Sequence, residues 1–330
     1  MKWLGDGTVD RLRANMQVPD LKGTRYRAIR YVASGGMAAI WLAEDTALKR
    51  NVALKVLDAE DLPQLESRLL REAHILATLE HPGIVPVHDA GRLPDGRVFY
   101  CMKFVEGQRL DEFLTTVAAL PDRLRLMLRI AEPVAFAHSR GIIHRDLKPE
   151  NVMVGPFGEV LVMDWGLGKI LNEHSTESSA AIASADEQQR TPAAASSTNH
   201  GTVLGTPGYM APEQLRGEVE SIDQRTDIYG LGVILSVMIG SPAGGRAARR
   251  HRPILAICAK AMHPDPNQRY PAVQALTADI ADFLAGSPIS AYAESPVERM
   301  ARLFDRHRTA VLLIAAYLVM RLLFILFSRR

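Results

Sequence analysis

Short hydrophobic runs that alternate with polar residues, and that are separated by glycines, predict an antiparallel sheet in the first third of the chain. The pattern begins at Tyr26, and residues 1–25 before it show little periodicity and are expected to form a loose arm. Two later strands are expected over 84–90 and 98–104. Between the strands, apolar residues recur near helical spacing over 63–79. The sheet is therefore expected to carry one main helix.

The chain then changes to a helical pattern. A helix is predicted over 122–139, with a stop signal at Gly141, and another helical run is expected to begin at Pro253. The stretch 171–201 between them is rich in Ser, Thr, Ala and Gln and has no apolar period. Such a composition buries too little apolar surface to offset the loss of conformational entropy on ordering. A disordered insertion is therefore expected there.

An apolar run near the C-terminus predicts a transmembrane helix over 309–328. As a helix, the eighteen residues 310–327 span about 27 Å, close to the thickness of a bilayer core. Arg321 interrupts the run, but it lies towards the C-terminal end, from which its side chain can snorkel to the headgroups. A helix at the membrane interface, or one buried on the globular part, gives the same pattern. The segment 286–308 before the run is basic, which agrees with a cytoplasmic globular part by the positive-inside tendency, whereas Arg329 and Arg330 after the run weaken that argument.

Composition excludes several classes of protein. A length of 330 residues is enough for a two-lobed enzyme with an appendage. The formal net charge is only +2, which argues against an electrostatic binder of nucleic acid. Cys101 and Cys258 are far apart in apolar surroundings, so they are expected to fill the core in a reducing compartment rather than to form a disulfide or a metal site.

The strongest chemical signal is the stretch I-H-R-D-L-K-P-E-N at 143–151, followed by D-W-G at 164–166. Phosphoryl transfer requires a carboxylate that orients the incoming hydroxyl, a cation near the transferred phosphate and oxygen ligands for Mg²⁺. Asp146 can supply the carboxylate and Lys148 the cation. Asn151 and Asp164 can supply the metal ligands, because Mg²⁺ prefers hard oxygen donors.

These residues match H-R-D-L-x-x-x-N and a near D-F-G, and the chain thereby resembles the eukaryotic-like serine/threonine protein kinases of bacteria over about residues 26–285. The resemblance implies an α+β, two-lobed kinase fold, with a small antiparallel-sheet lobe at 26–105 and a larger helical lobe at 106–285. It implies that ATP and Mg²⁺, or Mn²⁺ in its place, bind between the lobes, and that the γ-phosphate passes to protein Ser or Thr. By the same resemblance, Lys148 two residues after Asp146 favours Ser/Thr over Tyr as the acceptor.

The resemblance also implies the nucleotide contacts. V-A-L-K at 52–55 fits the V-A-I-K strand, so Lys55 would hold the α- and β-phosphates, paired with Glu72 of the predicted helix. Taken alone, either residue would be interpreted as a solvated surface charge. Met102 takes the gatekeeper position before the hinge between the lobes. The residues expected at the nucleotide are Val32, Gly35, Gly36, Ile40, Ala53, Lys55, Met102, Lys103, Val105 and Met153.

Further positions match the activation segment. By resemblance, Arg145 pairs with a phosphate that orders this segment, and the hydroxyls within 171–206 are candidate autophosphorylation sites or parts of a passive linker. Thr206 of G-T-P-G-Y-M-A-P-E would contact the catalytic Asp146 and Lys148. Three residues are expected to be structural: Glu213 and Arg269 as a buried ion pair, and Asp227 as a brace for the catalytic loop.

Three departures from the family pattern keep alternatives open. Ala33 and Ala38 replace the first and third glycines of the loop over the phosphates, where glycine lets backbone N–H groups approach closely. The stretch after Gly240, which contributes to substrate docking in relatives, is short. Trp165 replaces the usual phenylalanine, either as a volume change that neighbours absorb or as a shift in the balance between active and inactive packing.

The first two departures motivate a rival function, a catalytically weak pseudokinase that acts as an ATP-binding scaffold. A small-molecule phosphotransferase is a second rival, which the A-P-E segment disfavours.

The expected protein is thus a membrane-tethered kinase of signal transduction, single-pass, with its catalytic domain in the cytoplasm. Its expected partners are protein substrates with Ser or Thr, the membrane through the C-terminal helix, and a second copy of the chain for trans-autophosphorylation. No nucleic acid is expected among them.

Overall fold

The computed structural model describes most of the chain between residues 18 and 321. The described residues are 18–35, 38–57, 63–117, 119–165, 169–170, 208–218, 221–240, 246–300, 312–314 and 316–321. The predicted arm, apart from residues 18–25, and the predicted disordered insertion at 171–201 lie outside these residues.

The first lobe is built on a five-stranded antiparallel sheet. Its strands are β1 (Tyr26–Gly35), β2 (Ala38–Asp45), β3 (Arg50–Leu57), β4 (Val87–Arg92) and β5 (Val98–Lys103), in the order β1-β2-β3-β5-β4. The predicted antiparallel sheet is confirmed. The prediction that β4 starts at residue 84 is wrong: Pro86 precedes the strand, and proline has no N–H for a ladder hydrogen bond.

One helix packs on this sheet, as the pattern predicts. Helix α1 (Pro63–Thr78) places Leu69, Ala73 and Leu76 in the core against the sheet. The spacing of these three residues puts them on one face of the helix. Glu72 lies on the same buried side, although it is charged.

The second lobe is mainly helical. Its helices are α2 (Leu110–Phe113), α3 (Leu120–Ser139), α4 (Pro212–Leu215), α5 (Gln224–Ile239), α6 (Arg246–Ala261) and α7 (Val273–Leu284). Helix α5 is hydrophobic over most of its surface and lies at the centre, in contact with α3 and α6, because a helix that is apolar all round must be buried.

Short strands line the side of this lobe that faces the sheet. Strands β6 (Gln108–Arg109), β8 (Val152–Val154) and β9 (Val160–Val162) form one antiparallel set, and β7 (Ile142–Ile143) pairs with β10 (Lys169–Ile170). The turn Pro149–Asn151 leads directly into β8. The catalytic motif therefore lies between β7 and β8, held at both ends by strands.

The predicted start of the helical run at Pro253 is wrong. Helix α6 already begins at Arg246, and Pro253 lies inside it. The preceding residues, R-A-A-R-R-H-R, contain good helix formers but no apolar period, so the hydrophobic pattern gives no signal there. Helix α3 likewise starts earlier than expected, at Leu120, with Pro121 in its first turn, where proline is tolerated.

No helix in the described part of the chain is both long and apolar enough to cross a membrane. Within the predicted span 309–328, residues 312–314 and 316–321 are described and helical, and their large apolar side chains are exposed. The other residues of that span lie outside the described part, so the transmembrane helix stays a prediction.

Candidate active site

The first part of the site is an ion pair between β3 and α1. The Nζ atom of Lys55 donates to both carboxylate oxygens of Glu72, at 2.6 and 2.8 Å. The same Nζ lies 3.5 Å from Oδ1 of Asp164 in the second lobe. Burial alone would lower the pKa of Lys55, but Glu72 and Asp164 outweigh burial and raise it, so the lysine is charged at neutral pH.

The second part of the site is the catalytic loop between β7 and β8. Lys148 Nζ donates to Oδ2 of Asp146 at 2.8 Å, and both side chains are largely buried. The side-chain nitrogen of Asn151 donates to the backbone oxygen of Asp146 at 2.8 Å and to its Oδ2 at 3.1 Å. These bonds fix the Asp146 carboxylate between a cation and an amide.

Asn151 also connects this loop to Met163, the residue before Asp164. The backbone N–H of Met163 donates to the backbone oxygen of Asn151 at 2.8 Å, which places the two candidate metal ligands on adjoining segments. The Asn151 amide nitrogen is bonded to Asp146, so its oxygen is the atom that remains for a cation. The Asp164 side chain is half exposed. One amide oxygen and one carboxylate fit Mg²⁺, because this ion keeps several of its waters and takes few protein ligands.

Two residues of the site have a backbone conformation that is uncommon outside glycine. Arg145 has φ 72° and Asp164 has φ 59°, each of which costs about 1–3 kcal/mol unless the surroundings impose it. Asp227 on α5 accepts the backbone N–H groups of His144 and Arg145, each at 2.8 Å. On the other side, Gln214 Nε2 donates to the backbone oxygen of Arg145 at 2.7 Å. The bend before Asp146 is thus held from both sides.

Asp227 is itself held by a histidine. His138 Nε2 lies 2.7 Å from Oδ2 of Asp227. Burial would raise the pKa of Asp227, but the hydrogen bond and charge of His138, together with His144, outweigh burial and lower it. The carboxylate therefore stays charged as a backbone acceptor.

Trp165 is buried between the catalytic loop and β9. Its ring centroid lies 4.6 Å from that of His144, and its Nε1–H donates to the backbone oxygen of Val162 at 3.2 Å. His144 Nε2 in turn lies 2.8 Å from the backbone oxygen of Met163. The indole thus has a partner for its polar atom, which favours the interpretation that neighbours absorb its extra volume.

The expected buried ion pair is present in the second lobe. Arg269 donates from its two terminal nitrogens to the two oxygens of Glu213, at 2.7 and 2.8 Å, and Thr226 Oγ1 donates to Glu213 at 3.0 Å. Burial would raise the pKa of Glu213, but Arg269 outweighs burial and lowers it.

The residues expected at the nucleotide have unequal settings. Three of them are buried: Ala53, Met102 and Val105. Two are half-buried, Ile40 and Met153, and two are exposed, Val32 and Lys103. Gly35 ends β1, paired with Ala38 of β2. Gly36 and Thr206 lie outside the described residues, so the contacts expected of them have no structural account.

Sequence reasoning missed three residues that hold the site: His138, Gln214 and Tyr100. The Tyr100 hydroxyl donates to Oε1 of Glu72 at 2.7 Å. Each of the three acts through a partner far away in the chain, so no local spacing marks it. Gln214 follows directly after the A-P-E motif, and this position was the only signal for it.

Comparisons with known proteins show that the chain belongs to the protein kinase family. A family model described as the protein kinase domain matches residues 26–286. The serine/threonine-protein kinase PknD of Chlamydia caviae is 38% identical over 304 residues, which cover 80% of this chain and 32% of that protein. PknD of Chlamydia abortus is 37% identical over 301 residues, covering 80% and 31%. This chain thus spans about a third of the length of these curated relatives.

Among solved structures, the kinase domain of Mycobacterium tuberculosis PknI superposes with a TM-score of 0.54 and 22% sequence identity. The match covers 81% of this chain and 98% of that domain. At this level of identity the match shows a shared two-lobed fold and nothing about the chemistry.

Proposed function

Since the chain belongs to the protein kinase family, and within it to the eukaryotic-like serine/threonine kinases of bacteria, we propose that it is an active enzyme that transfers the γ-phosphate of ATP to Ser or Thr hydroxyls of proteins. One observation carries the proposal: Lys55 is engaged with both Glu72 and Asp164, while Asn151 bonds to Asp146 and, through its backbone oxygen, to Met163 next to Asp164. A lysine for the phosphates, a carboxylate for the hydroxyl and two metal ligands thus form one connected network.

In this mechanism Asp146 orients the acceptor hydroxyl and accepts its proton as the bond from the acceptor oxygen to the γ-phosphorus forms and the bond from that phosphorus to the departing ADP breaks. Lys148, already 2.8 Å from Asp146, stabilises the negative charge on the transferred phosphoryl group. Lys55 holds the α- and β-phosphates, and its charge is maintained by Glu72 and Asp164. Asn151 and Asp164 would hold Mg²⁺, which supplies charge neutralisation between the phosphates when bound.

Phosphorylation of the segment 171–206 is proposed to regulate the enzyme through Arg145. The burial of Arg145 lowers its pKa, and the positive charge of Arg71 on α1 lowers it further, although Asp227 opposes both. A phosphate placed near Arg145 would be stabilised by the charge of its guanidinium group. Autophosphorylation between two copies of the chain would then order the activation segment.

The proposal also includes attachment to the membrane. The described helical residues 312–314 and 316–321 expose Leu312, Leu313, Leu318 and Val319, a set that is costly to leave in water. The helix over 309–328 is therefore proposed to enter the bilayer and keep the kinase domain at the cytoplasmic surface.

The test is incubation of the purified chain with ATP labelled at the γ-phosphate, Mg²⁺ and generic protein substrates, beside Asp146→Asn. We expect phosphoserine or phosphothreonine on the substrates and within residues 171–206 of the chain in the reaction with the wild type, and none in the reaction with Asp146→Asn. A rate that rises with the square of the chain's concentration would support reaction between two copies. Nucleotide binding without any transfer, in both proteins, would contradict the proposal and favour a scaffold. Label on small alcohols but on no protein would favour a small-molecule phosphotransferase.

A further inference from the structure

Tyr100 is a buried tyrosine beside the Lys55–Glu72 pair, and the proposed function gives it no role. It lies in β5 directly opposite Lys55 of β3 in the antiparallel register. Residues directly opposite each other project from the same face of a sheet. Helix α1, which carries Glu72, packs against β5 and β3. The strand register therefore brings Tyr100 against both members of the pair.

The hydrogen bonds of Glu72 show what Tyr100 contributes. Oε1 accepts from Lys55 at 2.6 Å and from the Tyr100 hydroxyl at 2.7 Å, and Oε2 accepts from Lys55 at 2.8 Å. The Glu72 side chain is 6% exposed, so it depends on protein donors rather than on water. Tyr100 supplies a fixed donor from the sheet, whereas the lysine donor is at the end of a flexible chain.

Tyr100 also contacts the lysine. The Lys55 Nζ lies 5.7 Å from the centroid of the Tyr100 ring, within the range of a cation–π interaction. The tyrosine is 1% exposed. Burial raises the pKa of Tyr100 well above its ordinary value, and the charge of Glu72 raises it further. The hydroxyl is therefore a permanent donor at neutral pH.

We propose that Tyr100 is a positioning residue for phosphoryl transfer, whose hydroxyl fixes the Glu72 carboxylate in the orientation that directs Lys55 towards the nucleotide phosphates. The inference rests on the proposed function, because it gives Lys55 that role. A carboxylate held by the lysine alone can rotate together with it. With Oε1 also bonded to a rigid aromatic side chain, the carboxylate has one orientation, and Lys55 stays within 3.5 Å of Asp164.

The same sheet offers a matched control. Tyr26 in β1 is also buried, and its hydroxyl also donates to a carboxylate, Oδ2 of Asp89, at 2.9 Å. It belongs to the separate apolar cluster that contains Trp41 and Phe99, away from Lys55. Tyr26→Phe therefore removes the same atom from a second buried tyrosine of the sheet without touching the site, although its acceptor Asp89 is 41% exposed and Arg25 also donates to its hydroxyl.

The experiment measures the Kd for a fluorescent ATP analogue with Mg²⁺, together with kcat and KM for ATP, in the full chain. The proteins are the wild type, Tyr100→Phe, Tyr26→Phe, Glu72→Gln and the double variant Tyr100→Phe/Glu72→Gln. Tyr100→Phe is expected to raise Kd and KM for ATP by about tenfold or more, the effect of a lost hydrogen bond to a charged acceptor. Tyr26→Phe is expected to leave both values unchanged. In the Glu72→Gln background, removal of the Tyr100 hydroxyl is expected to raise Kd and KM for ATP by less than about a further twofold, because the carboxylate that it binds is already gone.

Two results would overturn the inference. One is a Tyr100→Phe protein that binds and turns over ATP as Tyr26→Phe does. The other is the same fold-loss from Tyr100→Phe with and without the Glu72 carboxylate, which would indicate a general packing effect. If the wild type transfers no phosphate to protein, the proposed function fails, but the comparison of Kd values still decides whether Tyr100 positions Lys55.

Discussion

At the scale of single residues, the second lobe depends on buried charges that are fully paired. Glu213 and Arg269 are almost inaccessible to solvent. Arg269 also donates to the backbone oxygens of His263 and Arg225, at 2.8 and 3.0 Å. Because each partner is desolvated, removal of one leaves the other uncompensated, at a cost of about 3–5 kcal/mol. The pair ties the end of the activation segment to the base of the lobe.

Glu213→Gln should therefore lower the free energy of unfolding at neutral pH, and the difference from wild type should depend on pH. The folded pKa of Glu213 is lowered, so its contribution is fully present above its unfolded pKa of about 4.3. That contribution is lost as pH falls through the still lower folded pKa. In urea unfolding between pH 7 and 3.5, the difference in unfolding free energy between wild type and Glu213→Gln should become smaller only below about pH 4.5.

Glu66→Gln is the matched surface control, since Glu66 pairs with Arg92 at 2.8 Å where the arginine is exposed to solvent. This change is expected to affect stability little at any pH, because exposed ion pairs are screened. If the difference in unfolding free energy between wild type and Glu213→Gln stays constant down to pH 3.5, the stabilisation does not come from the Glu213 carboxylate.

At the scale of elements, helix α5 contacts the catalytic loop and stabilises its conformation. Its Asp227 holds the loop through backbone hydrogen bonds, and its Gly230 lets Leu147 pack closely. A Cβ added at Gly230 would lie 2.9 Å from the Cβ of Leu147, the residue after Asp146. A Cβ added at Gly232 would lie 2.7 Å from the Cβ of Ala261 at the end of α6. The two glycines thus face different neighbours along one helix.

Gly230→Ala and Gly232→Ala should separate stability from catalysis. Both changes force close contacts, so each should lower the free energy of unfolding by about 1–3 kcal/mol. Gly230→Ala should also lower kcat by about ten- to a hundredfold, because it displaces the chain next to Asp146. Gly232→Ala should keep kcat close to wild type. The measurements are thermal unfolding and phosphotransfer rates at a temperature well below both transitions; equal kcat losses in the two variants would contradict this division.

At the scale of the whole molecule, the candidate active site contains residues of both lobes. Lys55 comes from the sheet and Asp164 from the helical lobe, and their 3.5 Å contact bridges the two. Near it, the backbone N–H of Val162 donates to the backbone oxygen of Gly83 at 2.8 Å, and Ile84 bridges to Val162. A single apolar cluster runs through both lobes. The relative placement of the lobes is therefore part of the site's geometry.

Attachment to the membrane is a prediction at this same scale. The full chain should float with phospholipid vesicles and resist extraction by alkaline carbonate, whereas a variant that lacks 310–327 should stay in solution and keep its phosphotransfer activity. Flotation followed by release in carbonate would indicate an interfacial helix instead of a span. A full chain that does not float would contradict membrane attachment in either form.

Much of the fold could be predicted from the sequence because its signals are local. The strands and α1 follow from hydrophobic periodicity, and short motifs single out Lys55, Asp146 and Asn151 as candidate site residues. The start of α6 could not be predicted, because R-A-A-R-R-H-R has helical propensity but no apolar face to show it. Tyr100 was missed for a different reason: its role depends on the register between β3 and β5, which the sequence of neither strand specifies alone.

The role of Asp146 in phosphoryl transfer is tested most directly by the kinetics of Asp146→Asn, with nucleotide Kd and kcat measured on the same preparation. The asparagine keeps the shape of the side chain but cannot accept the proton from the hydroxyl. The Kd for Mg²⁺ and ATP should stay within about threefold of wild type, because Lys55, Glu72 and Asp164 are untouched, while kcat should fall by about 10²–10⁴-fold. A variant that keeps its kcat, or that loses nucleotide binding together with turnover, would contradict the role given to Asp146.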